Sequence, residues 1–309
     1  MYPSRFRYEA PRSLDEAIGL LHNGGDYAKV LAGGQSLVPM MKLRFASPDL
    51  LVDINNVPGL SYVTAVPDGS LHIGALTRHA DLEWSPVLRD TQPTMAAAAP
   101  MIADPLVRNR GTLVGSLCHA DPQGDWAAVM TALGGSVVAQ GPSGRRTIPL
   151  ASFVTGPFET ALEHDEIAVE AIVPAATGNR AGGYLKLERR VGDFATCGVA
   201  IALEISGALE LADGAPSGVG IVSRAGIALT GVGGSTIYAA DAAALLVGHP
   251  LTAVLIGEVA ERAAAAAQPR SDHRGSAAYK RHMVRTFTER ILSGSLPAPS
   301  GSTTTEQAA

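Results

Sequence analysis

Two glycine-bearing segments could bind an anion through their backbone. The first comprises Ala32, Gly33, Gly34, Gln35 and Ser36, and it follows a short run of strand-forming residues. Glycine lets the chain turn sharply, so that successive N–H groups can point at one phosphate. A strand followed by two glycines is also a common turn. Residues 32–36 alone therefore leave two interpretations open, an anion-binding nest and a simple turn.

The second segment, residues 108–116, carries stronger indications. Gly111 and Gly115 lie four residues apart, each is followed by a hydroxyl side chain, and a helix is predicted to begin near Asp125. Free N–H groups at a helix N-terminus favour phosphate, and a nearby carboxylate can accept from ribose hydroxyls. The alternative interpretation makes Arg108 and Arg110 solvated charges beside an ordinary turn.

Other site types have little support. The sequence has no complete Gly-x-Gly-x-x-Gly after a strand, no Walker loop, no His-Glu-x-x-His and no persuasive nucleophile elbow. Its histidines show no metal-ligand spacing, so His79 and His119 are expected to be structural. Cys118 and Cys197 are expected to be free thiols. Two cysteines cannot hold a four-cysteine iron–sulfur cluster.

Composition limits the class of protein. The chain has 309 residues, 46% hydrophobic and 17% charged, as in an ordinary globular protein long enough for two domains. A net charge of −5 gives no sign of a duplex-binding surface. The basic stretch 270–290 is interpreted as a solvated helix face. We expect a cytoplasmic location, because no apolar run reaches the ~18 residues of a membrane span and the start lacks the apolar core of a signal peptide.

The elements that must position these residues follow from local patterns. Ser13 and Glu16 predict a capped helix, and Pro67, Asp68 and Gly69 predict a hairpin turn. Strands are predicted at 29–32, 50–54, 62–66, 70–73, 136–140, 146–148 and 166–173, and helices at 94–104 and 125–133. A second part is predicted as strands 184–190, 195–205 and 221–230 followed by helices 240–246, 253–267 and 276–292. This order of elements favours an α+β fold.

Four motifs in order give a more specific indication. They are Ala32–Leu37, Ile73–His79, Val107–Ser116 and His119–Pro122, and Tyr184, Lys186 and Arg190 follow in the second part. Together they cover nearly the whole chain. In this combination the sequence resembles the FAD-binding medium subunit of molybdenum hydroxylases, the xanthine dehydrogenase family that includes aerobic carbon monoxide dehydrogenases.

The resemblance implies an α+β fold in three parts. Residues 1–177 would form a two-subdomain FAD-binding domain of the vanillyl-alcohol-oxidase type. Residues 178–292 would form a smaller C-terminal α+β domain with a three-stranded antiparallel sheet, and residues 293–309 a disordered tail.

The resemblance also implies the cofactor contacts. Residues 32–36 and 111–116 would hold the pyrophosphate through backbone amides, and Lys186 and Phe194 would lie close to the flavin ring. No catalytic residue and no metal ligand is expected. The full set of expected FAD contacts is Lys29, Ala32, Gly33, Gly34, Gln35, Ser36, Leu37, Thr77, Ile102, Val107, Gly111, Thr112, Leu113, Val114, Gly115, Ser116, Asp125, Ile167, Lys186 and Phe194.

Two positions depart from the family pattern. Val114 stands where the family often has glycine, and a β-branched residue would be strained there if the backbone needed a positive φ. Phe194 stands where some carbon monoxide dehydrogenase relatives carry tyrosine, so a hydroxyl hydrogen bond is lost although the ring can still pack.

The implied function is electron transfer within a complex. A large subunit would oxidise the substrate at molybdenum, a small subunit would carry iron–sulfur clusters, and this chain's FAD would pass electrons to NAD, a quinone or oxygen; the assembly would be a dimer of heterotrimers. Lys186 would favour the reduced flavin electrostatically. Two alternatives remain: a free-standing flavoenzyme with its own small substrate, and a cofactor-free scaffold subunit. Carbon monoxide, a purine or another N-heterocycle are all open as substrates.

Overall fold

The chain folds around three main β-sheets, and the computed structural model describes residues 2–207 and 220–295. The strands are β1 (Arg7–Glu9), β2 (Ala28–Leu31), β3 (Leu50–Asp53), β4 (Val63–Ala65), β5 (Leu71–Gly74), β6 (Ser136–Gly141), β7 (Gly144–Pro149), β8 (Val154–Gly156), β9 (Glu159–Thr160), β10 (Ile167–Val173), β11 (Asn179–Leu187), β12 (Cys197–Ser206), β13 (Ile221–Thr230) and β14 (Ile237–Tyr238). The α-helices are α1 (Leu14–Gly24), α2 (Leu37–Lys42), α3 (His79–Glu83), α4 (Pro86–Thr91), α5 (Pro93–Ala98), α6 (Pro105–Arg108), α7 (Leu113–His119), α8 (Asp125–Ala132), α9 (Leu150–Phe153), α10 (Ala240–Leu246), α11 (Ala253–Ala266) and α12 (Ala277–Gly294). Short 3₁₀ turns occupy Gly25–Tyr27, Ile54–Asn56 and Ala99–Met101.

The first sheet is parallel, with the order β1-β3-β2, and α1 covers it. The predicted helix cap is present: the Ser13 hydroxyl accepts from the Glu16 N–H at 3.2 Å. Glu16 in turn accepts from the N–H of Arg12 rather than from that of Ser13. Because Ala17 and Leu21 lie four residues apart, they share one helix face and are buried against the sheet.

The second sheet is antiparallel, with the order β4-β5-β10-β6-β7. The two predicted hairpins form its edges, and β10 fills the gap between them. Its register with β6 shifts between Ala168 and Glu170, which marks a bulge. Trp126 of α8 and Phe153 of α9 belong to the large core beside this sheet.

The third sheet is also antiparallel, with the order β11-β12-β13-β14. The three predicted strands are confirmed, and the two-residue β14 extends the edge beside β13. Helices α10 to α12 provide most of the remaining core on one face. The basic stretch 270–290 is largely exposed, as expected. Lys280 is the correction: it is buried and donates to Asp272 at 2.7 Å.

The C-terminal tail begins later than predicted. Helix α12 continues through Gly294, so residues 293 and 294 are helical. Residues 296–309 of the predicted tail lie outside the described part of the chain. Within the described part, no helix combines the length and the apolar character needed to cross a membrane.

Candidate functional site

A cleft of about 560 Å³ is bordered by β2, α2, α7, β10 and the loop before β12. This volume lies within the range of small-molecule and cofactor sites, about 300–1,000 Å³. Seventeen of the twenty predicted contact residues line it: Lys29, Ala32, Gly33, Gly34, Gln35, Ser36, Leu37, Ile102, Val107, Gly111, Thr112, Val114, Gly115, Ser116, Asp125, Ile167 and Phe194. Thr77, Leu113 and Lys186 do not line it.

The two glycine segments meet along one wall of the cleft. A Cβ placed on Gly33 would lie 2.3 Å from the carbonyl oxygen of Arg110 and 2.7 Å from the Cα of Gly111. Gly34 has a φ of +74°, which side chains rarely adopt. Each glycine therefore has a separate reason to be there, close backbone approach at residue 33 and a left-handed turn at residue 34.

The second segment is partly helical, which the sequence did not predict. Thr112 caps α7 by accepting from the Gly115 N–H at 3.1 Å, and a Cβ on Gly115 would press on that hydroxyl at 2.6 Å. Val114 lies inside this helix, is buried in the main core and has no positive φ. The strain considered for Val114 is therefore absent. Leu113 points into the core rather than the cleft.

His79 borders the cleft and supports the backbone of the second segment. The backbone N–H of His79 donates to the carbonyl of Gly111 at 2.9 Å, and the ring Nδ1 accepts from the indole N–H of Trp126 at 3.0 Å. A Cβ on Gly111 would lie 2.8 Å from the His79 ring. Burial, reinforced by nearby Arg108 and Arg78, lowers the pKa of His79 to about 4, so the ring is neutral at pH 7. These contacts give His79 a structural role.

A buried polar cluster lies beside the cleft at Asp125. The Tyr184 hydroxyl donates to Asp125, and the Lys186 ammonium lies 3.3 Å from the same carboxylate and 3.2 Å from Glu188. Burial raises the pKa of Asp125, while Lys186 and the bond from Tyr184 oppose that shift. Lys186 is fully buried behind Asp125. It therefore presents no bare cation to the cleft, contrary to its expected place beside the flavin ring.

Arg108 and Arg110 do not line the cleft either. Arg108 is buried, pairs with Glu83 at 2.7 Å and donates to the carbonyls of Ile102 and Ala103. It is a structural clamp on the turn that presents Ile102, so the solvated interpretation is wrong for Arg108. Arg110 is exposed and borders a separate groove. Thr77 is also structural, because its hydroxyl donates to the Tyr62 carbonyl at 2.7 Å.

Phe158 and His119 line the cleft although neither was predicted to do so. Phe158 has a φ of 62°, its N–H donates to the Ala120 carbonyl at 2.9 Å, and its ring is tilted against His119 with 5.2 Å between centroids. A bulky residue in this region of φ is uncommon and indicates stored strain. Gly156 and Pro157 are a sequence signal for the turn between β8 and β9, but no local pattern shows that Phe158 reaches the cleft.

Cys118 borders the cleft and Cys197 does not, but neither thiol is reactive. Cys118 and Cys197 are both free, and burial raises the pKa of each thiol to about 12, which keeps them protonated and unreactive. His22, His164 and Asp165 come together at the surface, where His22 contacts Asp165 at 2.8 Å. The sequence could not show this grouping, since His22 and Asp165 are far apart along the chain.

The cleft fits an elongated, phosphate-bearing cofactor. Its glycine wall is made of two backbone segments in close contact, while Ile102, Ile167 and Phe194 supply apolar surface for an aromatic ring. Asp125 is a polar group among these apolar residues. The residues present are therefore compatible with FAD.

Comparison with known proteins agrees with this geometry. Residues 4–176 match the FAD binding domain in molybdopterin dehydrogenase, and residues 183–294 match the CO dehydrogenase flavoprotein C-terminal domain. The carbon monoxide dehydrogenase medium chain of Hydrogenophaga pseudoflava is 41% identical over 94% of this chain and 97% of its own. The glyceraldehyde dehydrogenase medium chain of Sulfolobus acidocaldarius is 36% identical over 93% and 97%.

Solved structures show the same fold. A chain of carbon monoxide dehydrogenase from Hydrogenophaga pseudoflava superposes with a TM-score of 0.86 at 41% identity, covering 96% of this chain and 98% of that one. A chain of quinoline 2-oxidoreductase from Pseudomonas putida 86 gives 0.84 at 30% identity, with coverage of 96% and 98%. The predicted resemblance and fold class are confirmed, and this chain belongs to the family of FAD-binding medium subunits of molybdenum hydroxylases.

Proposed function

We propose that this chain is the electron-transfer subunit of a molybdenum hydroxylase complex and binds FAD in the cleft. The observation that carries the proposal is the contact between Gly33 and the Arg110 carbonyl, which brings two glycine segments onto one wall. Seventeen predicted contact residues lie around that wall. As a member of a dehydrogenase family, the chain is part of an oxidoreductase.

Each part of the cleft has a proposed role. Backbone N–H groups of residues 33–36 and 112–114 hold the pyrophosphate, and the capped start of α7 adds a favourable dipole. Ile102, Ile167 and Phe194 pack against the flavin ring. When bound, FAD supplies an acceptor that takes electrons from one partner and delivers them to another.

Lys186 acts indirectly in this proposal. Its ammonium compensates the buried Asp125 carboxylate, so the cleft presents a hydrogen-bonding group of reduced net charge. Asp193, whose carbonyl accepts from Lys186 at 3.1 Å, precedes Phe194 in the loop that closes this end of the cleft. Lys186 therefore positions two cleft residues, Asp125 and the adjoining loop.

The cofactor lies between two proposed domains, residues 1–177 and 178–292. Residues 32–36 and 111–116 come from the first, whereas Gly192, Asp193 and Phe194 come from the second. Because both domains contact the cofactor, cofactor binding depends on the relative position of the two domains. The predicted tail, residues 293–309, is shortened to start at residue 295, because α12 continues through Gly294.

Partner subunits supply the remaining redox centres. The two cysteines of this chain cannot hold a four-cysteine cluster, so electrons arrive from iron–sulfur clusters of a small subunit, while molybdenum lies in a large subunit. We propose a cytoplasmic dimer of heterotrimers that passes the electrons to NAD, a quinone or oxygen. The two relatives described above are named for different substrates, carbon monoxide and glyceraldehyde, although their medium chains are similar. Substrate choice therefore belongs to another subunit.

Purification of the complete chain tests the proposal. We expect a yellow protein with a flavin absorption spectrum, or one that takes up added FAD, and no turnover of small substrates by the chain alone. Substrate turnover by the isolated chain would favour a free-standing flavoenzyme. A colourless chain that fails to take up FAD would instead support a scaffold without a cofactor.

A further inference from the structure

We propose that Arg78 and Asn55 form a brace that fixes the spacing between the two glycine segments and so positions the FAD pyrophosphate. This inference rests on the proposed function, because it assigns the cleft wall to pyrophosphate binding. Neither side chain lines the cleft. Both are positioning residues, which act through the backbone that they hold.

The brace is a continuous series of three hydrogen bonds. Asn55 Nδ2 donates to the carbonyl of Ala32 at 2.8 Å. One guanidinium N–H of Arg78 donates to Asn55 Oδ1 at 2.7 Å, and another donates to the carbonyl of Arg110 at 2.7 Å. The series therefore begins at the carbonyl just before Gly33 and ends at the carbonyl just before Gly111.

The same two peptide groups lie where the segments touch. The Arg110 carbonyl held by Arg78 is the atom that a Cβ on Gly33 would meet at 2.3 Å. A displacement of this carbonyl changes the width of the contact directly. Since backbone contact sets how closely the two rows of N–H groups approach one anion, the brace controls the geometry of the anion site.

The brace also explains which way the first segment faces. Asn55 and Arg110 border a groove that shares residues 31–35 with the cleft, but neither residue lines the cleft itself. In a trans peptide the C=O and the following N–H point in opposite directions. Asn55 holds the Ala32 carbonyl on its own side of the segment, so the Gly33 N–H points away from Asn55 and is left free for an anion.

Both residues of the brace are held in place by further hydrogen bonds. Asp53 accepts from the backbone and side-chain N–H groups of Asn55 at 2.9 and 2.5 Å, and from the Tyr8 hydroxyl at 2.6 Å. The backbone N–H of Arg78 donates to Asp81 at 2.9 Å, and Arg78 forms a β-bridge with Thr112. A planar guanidinium has a fixed fork of donors, so arginine can hold two acceptors at once, whereas a lysine ammonium cannot reproduce that fork.

Titration of FAD into the complete chain, followed by flavin fluorescence, tests the brace. We expect Arg78→Met and Asn55→Ala each to weaken FAD binding by about tenfold or more. The double variant should bind FAD no more weakly than whichever single variant binds it less tightly, because both substitutions break the same series of hydrogen bonds. Arg89→Met, the same change at an exposed arginine of α4, should bind FAD like the wild type.

Arg78→Lys separates geometry from charge. It keeps the positive charge but loses the fork, so we expect it to bind FAD nearly as weakly as Arg78→Met, with a thermal midpoint close to that of the wild type. Full recovery in Arg78→Lys, or additive losses in the double variant, would overturn the brace. If the wild-type chain itself fails to bind FAD, the proposed function fails first, and the two failures are thus distinguishable.

Discussion

Gly33 and Arg110 are in backbone contact: a Cβ on Gly33 would lie 2.3 Å from the Arg110 carbonyl oxygen, closer than real Cβ atoms come to any neighbour. The atoms it would meet belong to the backbone of the second glycine segment and cannot rotate away. Any side chain at residue 33 must therefore push the two segments apart. The contact makes Gly33 the most direct test of the pyrophosphate site.

Gly33→Ala is expected to weaken FAD binding by about tenfold or more, because separated segments cannot both reach one anion. The chain should stay folded, since Gly33 is only half-buried and lies outside the three cores. Fluorescence titration with FAD, together with circular dichroism, checks both expectations.

The matched control is Gly19→Ala in α1, where a Cβ meets nothing within 4 Å. Alanine is the better helix former, so this variant should gain up to about 1 kcal/mol of stability and bind FAD normally. Normal FAD binding by Gly33→Ala would show that the two segments do not act together.

The lowered pKa of His79 predicts that the folded chain loses stability at acidic pH. Its pKa is about 4 in the folded chain against 6.5 for an ordinary histidine, so the unfolded chain binds more protons between these values. Stability linked to His79 is therefore fully present above pH 6.5 and is lost as the pH falls toward 4. The loss amounts to roughly 3 kcal/mol.

Comparison with His79→Gln isolates this effect from other titrating groups, because glutamine can accept from Trp126 but does not titrate. Urea unfolding at a series of pH values should show the wild type losing stability relative to His79→Gln as the pH falls. Parallel curves for the two proteins would mean that His79 does not titrate as described.

Sequence patterns predicted the secondary structure of the long elements and the fold class, but not the helices that shape the site. Helices α2 and α7 have six and seven residues, too few for a helical period to stand out. Strand β10 lies between β5 and β6, and this order depends on pairing between residues far apart in the chain, which local patterns do not contain.

Among the residues that line the cleft, the sequence predicted best those of the two glycine segments. Residues 32–36 and 111–116 were identified by glycine spacing and by the order of the motifs. Lys186 was assigned to the flavin ring from the family resemblance, and its burial behind Asp125 could not be predicted because it depends on tertiary packing. One sequence signal for the position of Lys186 does exist. Tyr184 and Lys186 lie two residues apart on β11, so they share a face of the strand and reach the same carboxylate.

Val114→Gly restores the residue that the family often has, and it should lower the free energy of unfolding. Val114 is helical and almost fully buried, so glycine removes apolar contacts and adds backbone freedom. We expect a loss of about 2–3 kcal/mol in urea unfolding and no gain in FAD affinity. Tighter FAD binding by the variant would indicate that valine at this position distorts the second segment after all.

Phe158 allows backbone strain and ring contact to be separated. Both Phe158→Ala and Phe158→Gly remove the ring that lines the cleft, so both should bind FAD more weakly. Only glycine is relaxed at a φ of 62°, and Phe158→Gly should be more stable than Phe158→Ala by about 1 kcal/mol. Thermal and urea unfolding of the two chains measure this difference. Equal stabilities would argue against a strained turn.

Lys186→Met should be strongly destabilising, because it leaves the Asp125 carboxylate buried without its cation. The side chain of Lys186 is fully buried and lies 3.3 Å from Asp125, and loss of one partner of such a pair costs about 3–5 kcal/mol. The double variant Asp125→Asn/Lys186→Met removes both charges and should recover most of that loss, since a neutral amide can still accept from Tyr184. Urea unfolding of the two variants and the wild type measures how much of the lost stability the second substitution recovers. If both variants lost the same stability, Lys186 would be stabilising through Glu188 and the Asp193 carbonyl instead, and the cleft end of the ion pair would carry little of the energy.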